Sequence, residues 1–156
     1  MPGRAWFKQW EFEYDRHSTA AVYSGMTKSA AEACGCGDCL EWVKVRDSAF
    51  TPEVRRFFVK VGIDATRETS MSGLMLRDND PSSYRFFGTY HFLGRLLVGP
   101  QSKVPLGARG YQIENMTIGP RLRAGLTSIR EMNPDVPPKF RNREVITVTF
   151  EYGALE

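Results

Sequence analysis

Histidine and cysteine are scarce in this chain: His17 and His91 are the only imidazoles, and the only thiols are Cys34, Cys36 and Cys39. With one cysteine cluster and no second pair to match it, the paired knuckles of a two-loop zinc fold are absent. No run approaches the roughly 18 apolar residues of a membrane span. Met1 to Trp10 also lack the basic-then-apolar layout of a secretory leader. The expectation is a soluble cytoplasmic protein whose thiols stay reduced, not a disulfide framework. Also missing are a glycine-rich phosphate loop ending in Lys-Ser/Thr, an H-E-x-x-H, a G-x-S-x-G and a carboxylate pair at a telling spacing. No catalytic residue can be named, which weighs against an enzyme. There is no internal repeat and no low-complexity tract.

What remains is an ordinary globular composition. At 156 residues the chain can bury roughly 70% of the surface that its unfolded form exposes, so one domain over residues 1–154 is expected. Leu155 and Glu156 read as a cloning remnant. Hydrophobic residues make up 42% and charged residues 25%, which argues against disorder.

From Trp6 to Tyr14 the even positions are Trp6, Lys8, Trp10, Phe12 and Tyr14 and the odd ones include Gln9, Glu11 and Glu13, the period-two pattern of a half-buried strand. Residues 15–33 show no sustained period and read as a loop with at most a short helical turn. Asp38 is a candidate cap for a helix from Cys39 to Ser48. Thr51-Pro52-Glu53 is a fuller start signal, because Thr caps, Pro fits the first helical position and Glu faces the positive end of the dipole. The helix it opens, Pro52 to Val61, places Val54, Phe57, Phe58 and Val61 on one stripe, and Gly62 ends it. Strands are expected over 69–77, 84–98, 111–118, 121–130 and 143–152, with turns at 79–83 and 118–121 and a proline-stiffened loop at 133–139. Along Tyr84 to Phe92 both faces carry apolar groups, so this strand should be central and covered on both sides. Strands in succession after the helices, without strand-helix alternation, give an α+β fold. It is a mainly antiparallel sheet of about five or six strands with two short helices packed on one face.

The cysteines form a C-x-C-x-x-C. Thiolates are ligands for zinc, and a closed structural site needs a fourth donor. His91 is the candidate taken for it, so the expected metal set is Cys34, Cys36, Cys39 and His91; His17, Asp38, water or a partner subunit are the other options. Gly35 and Gly37 are expected to spare the loop from crowding. Two alternatives stay open for the thiols. They pack as small buried hydrophobes in a tight turn, or Cys36-Gly37-Asp38-Cys39 ahead of a helix serves thiol redox chemistry, against the opposing charge of Asp38. His91, between aromatics, also has a plain reading as a packed core histidine.

Charge is unevenly spread. Residues 85–143 hold eight Arg and two Lys against Glu114, Glu131 and Asp135, a local charge of +7 in a chain of +3 overall. A rival function is therefore binding of nucleic acid or an acidic partner through Arg85, Arg95, Arg109, Arg121, Arg123, Arg130, Arg141 and Arg143. A solvated basic face is the plainer alternative.

Cys34 to Trp42, Val61-Gly62-Ile63-Asp64 and Gly88-Thr89-Tyr90-His91-Phe92 together resemble a set of uncharacterised bacterial proteins. Those share a C-x-C-x-x-C followed closely by an aromatic residue, a helix, an L-G-I-D-like turn and an aromatic strand. Here Val61 stands for the Leu, and the likeness spans about residues 34–94. It implies a bacterial source and a shared occurrence of the cysteines with the aromatic strand, and it implies no activity.

Overall fold

The computed structural model describes residues 2–106, 110–129 and 136–154. Arg109, Arg130, Leu155, Glu156 and the first half of the proline loop lie outside these. The chain opens with a hairpin, β1 (Gly3–Phe7) and β2 (Trp10–Tyr14), turned at Lys8 with φ 52°. This breaks the single strand expected from Trp6 to Tyr14, and it puts Phe7 and Trp10 inside while Trp6 is 58% exposed. Two helices occupy the stretch expected to be loop. α1 (Arg16–Ser24) is capped by the Asp15 carboxylate accepting from Ser18 N–H, and α2 (Ala30–Cys34) by a reciprocal capping box of Ser29 and Glu32. α3 (Gly37–Ala49) and α4 (Pro52–Val61) follow, the latter with the expected bounds, Thr51 cap and left-handed Gly62 stop.

The strands are β3 (Ser70–Met75), β4 (Tyr84–Val98), β5 (Lys103–Pro105), β6 (Tyr111–Ile113), β7 (Met116–Gly119), β8 (Leu122–Ile129) and β9 (Val145–Gly153). The architecture is α+β with antiparallel pairing throughout the described residues. Among the described residues the main sheet has seven strands, ordered β1-β2-β4-β9-β8-β7 with β3 also on β4, instead of five or six, and there are four α-helices instead of two. β5 and β6 form a separate ribbon.

Fifteen-residue β4 is the spine. One edge pairs with β9 from Arg85 to Leu93. The other is divided, with β3 on Tyr84–Thr89 and β2 on Gly94–Val98. Between them the edge would expose unpaired backbone groups, and α1 supplies the partners. The Tyr23 hydroxyl donates to the His91 carbonyl at 2.8 Å and accepts the His91 N–H at 3.0 Å, and the Thr19 hydroxyl accepts the Leu93 N–H at 3.0 Å. Side chains of one helix thus complete a strand edge inside the fold.

Alternation along β4 and β9 directs Phe86, Tyr90, Phe92 and Phe150 to one face, where α3 and α4 pack. Trp42 of α3 is wholly buried against Phe86 and Phe150, with centroids at 5.5 and 5.2 Å. Phe58 of α4 lies on Tyr90 at 4.8 Å, and Phe57 reaches Phe7 at 4.3 Å. The buried Trp42 Nε1 has no hydrogen-bond partner, and nothing in the structure explains this.

Tyr23→Phe should leave one buried carbonyl and one buried N–H of His91 unpaired and cost about 2–3 kcal/mol in urea unfolding at unchanged m-value. A loss below about 0.5 kcal/mol would contradict the edge-completing role of α1.

Candidate functional site: a three-cysteine corner

Cys34 is the last residue of α2, Cys36 the N-cap of α3, and Cys39 sits in the first turn of α3. Gly35 makes the corner between the helices at φ 67°, its N–H donating to the Ala31 carbonyl. The three sulfurs lie within 4.8 Å of one another, with Cys34 and Cys36 exposed and Cys39 buried. Crowding is not what the glycines relieve. A Cβ at Gly37 would meet nothing within 4 Å, and at Gly35 the left-handed backbone is what favours glycine.

Two supports hold this corner. Glu68 is fully buried; one carboxylate oxygen accepts the Ala31 N–H at 3.2 Å, and the other lies 3.4 Å from the Arg46 guanidinium. That pair ties α2 and α3 to the segment leading into β3. At the other end, Asp38 is not the cap of α3. Its carboxylate accepts the Tyr84 hydroxyl at 2.7 Å, which pushes the tyrosine's pKa up to about 12. Gly73 of β3 makes room for this seat, since a Cβ there would stand 3.1 Å from that of Asp38.

The thiols differ. The Cys39 N–H, then the thiols of Cys34 and Cys39, hold Cys36 below the ordinary thiol range. Burial first, then the two neighbouring thiols, push Cys39 up to about 12. An exposed thiol at a helix N-terminus with a buried one three residues later is a graded pair.

His91 does not join the cysteines. It lies seven residues along β4 from Tyr84, about 23 Å of strand, on the opposite face. Its Nδ1 is 2.7 Å from the Thr69 hydroxyl, its ring lies near Phe140, and burial, with a smaller contribution from Lys103, brings its pKa down to about 3. The core reading of this histidine fits that setting. His17 is exposed on α1, and the Asp38 carboxylate is engaged by Tyr84. Among the described residues the cluster comprises the three cysteines alone.

The described arginines do not form one cluster. Arg85, Arg121 and Arg123 sit at the Gly153 end of β9, with Arg85 over Phe87 and Arg121 over Tyr152. Arg95 lies ten residues from Arg85, about 33 Å along β4, paired with Glu13, and Arg141 donates to the Val136 carbonyl. No described helix is long and apolar enough to cross a membrane. No protein-family model matches the chain, and comparison with curated proteins and with solved structures yields no match either.

The α1 and α2 signals were open in the sequence: Asp15 is a cap, and Ser29-x-x-Glu32 a capping box. Nothing local announces the Glu68–Arg46 pair, which joins residues 22 apart. Arg46→Met should strand the Glu68 carboxylate and cost about 3–5 kcal/mol by chemical denaturation. A change below about 1 kcal/mol would show that the pair does not hold the corner.

The depressed pKa of His91 also sets a pH dependence. Between about pH 6.5 and 3 the unfolded chain binds a proton that the folded chain refuses, so stability falls as pH falls through this window. The effect approaches roughly 3 kcal/mol by pH 4 and is absent above pH 7. His91→Gln should remove this part of the acid sensitivity, measured as Tm against pH for both proteins; parallel profiles would contradict it.

Proposed function

We propose that the chain binds a thiophilic metal ion, zinc in the first instance, through Cys34, Cys36 and Cys39. The observation that carries this is the convergence of three sulfurs within 4.8 Å at a corner braced on both sides. With Cys34 and Cys36 exposed and no fourth protein donor in the described cluster, the fourth position goes to water or an exogenous ligand. This is the arrangement of an open site, not of a closed structural one. Coordination deprotonates thiols outright, the high-pKa Cys39 included, so binding releases protons and weakens with acid.

Reduced protein purified without chelator should carry about one equivalent of zinc by elemental analysis, and zinc should shield all three thiols from alkylation. Cys39→Ser should reduce retention by at least about tenfold. Less than about a tenth of an equivalent in the wild type, with all thiols still reactive, would overturn the proposal.

A second reading is favoured by one observation, the exposed Cys36 at the α3 N-terminus with Cys39 buried behind it. The Cys36 thiolate would attack a disulfide of a partner thiol compound, expelling one thiolate and forming a mixed disulfide. Cys39, losing its proton, would then attack the Cys36 sulfur and expel the second thiolate, leaving a Cys36–Cys39 disulfide and the substrate reduced by two electrons. In zinc-free protein this predicts Cys36 alkylation well above that of an unperturbed thiol at neutral pH, and loss of exchange in Cys39→Ser; ordinary alkylation would end it.

A further inference from the structure

The sheet face turned away from α3 and α4 is not apolar. Register places Ser70, Thr89 and Thr149 in one cross-strand row ending at Gly125. On one side runs the row His91, Thr147, Thr127, and on the other Ser72, Phe87, Glu151. Over the hydroxyl row stands a cavity of about 520 Å³, walled by β3, floored by β4 and β9, and closed on the far side by Lys103, Ile113 and Asn115. Its volume is within the range of small-molecule clefts.

Two hydrogen-bonded chains frame it. In one, Ser70 Oγ lies 2.6 Å from Thr89 Oγ1, which lies 2.9 Å from Thr69 Oγ1, itself 2.7 Å from Nδ1 of the neutral His91. In the other, the Thr149 hydroxyl donates to Asn115 Oδ1 at 2.7 Å, and Ser102 Oγ lies 3.1 Å from Thr149 Oγ1 and 2.6 Å from Thr127 Oγ1. Gly125 makes this layering possible, since a Cβ there would collide with Ser102 and Asn115. Burying so many hydroxyls is costly compared with an aliphatic lining, and the network is not closed on itself. The Asn115 Nδ2 has no partner and lies closed off behind the wall.

We infer that this cavity binds a small neutral polyhydroxylated molecule, a monosaccharide or cyclic polyol. Hydroxyls rotate to donate or accept, so a wall of Ser and Thr matches ligand groups that do both. Glu151 offers an acceptor and opposes an anion. The half-buried Phe87 ring provides apolar floor for the C–H face of a ring.

The test is an amide-resolved NMR titration of the full chain with glucose, galactose, mannose and myo-inositol, with sodium phosphate and indole as controls. At least one polyol should saturate with Kd of about 1 mM or tighter. The shifts should be confined to residues 70–72, 87–89, 103, 113–115 and 149–151. Ser70→Ala and Glu151→Gln, each checked for native spectral dispersion, should weaken it at least about fivefold. Absence of saturable binding by every polyol, shifts mapping elsewhere, or tighter binding of phosphate or indole in this cavity would overturn the inference.

Discussion

Side-chain alternation along β4 is the constraint on which the molecule depends. One face must present Phe86, Tyr90 and Phe92, and the other Phe87, Thr89 and His91, over a run in which both sides are covered. The first face is where the fold is stabilised. Truncating a side chain such as Trp42, wholly buried on Phe86 and Phe150, costs about 3–5 kcal/mol. That is a large share of the 5–15 kcal/mol that keeps a domain of this kind folded. α3 is therefore fixed in place, and the cysteines at its N-terminus inherit that position.

The second face spends polar groups where apolar ones would stabilise more, and it does so in registered rows. The same economy governs the cysteine corner, where a buried carboxylate and guanidinium brace two short helices that could not hold a turn of thiols alone. Both candidate sites thus lie on β4 or its covering layers but on opposite faces, one built on sulfur and the other on hydroxyl groups. What happens at one need not perturb the other.

The parts of the fold visible in the sequence were those with a local cause. Thr51-Pro52-Glu53 and Gly62 bracket α4 because caps act within a turn, and the two-faced aromatic run from Tyr84 marks β4 because burial on both sides needs it. The β1–β2 hairpin was hidden because Lys8-Gln9 carries no glycine or asparagine, and the left-handed Lys8 looks like any strand residue. α1 and α2 were hidden by small residues that give no period, although their caps were legible. Of the candidate metal set, the three cysteines were legible because six residues of chain confine them. His91 was misplaced because a sequence shows neither the distance along a strand nor the face.

In the proposed metal site three thiolates of one chain hold one ion with an open fourth position. X-ray absorption at the zinc edge of the zinc-loaded, monodisperse protein tests it most directly. Three sulfur neighbours at about 2.3 Å and one lighter oxygen or nitrogen at about 2.0–2.2 Å are expected. Fewer than three sulfurs, or four, would contradict it.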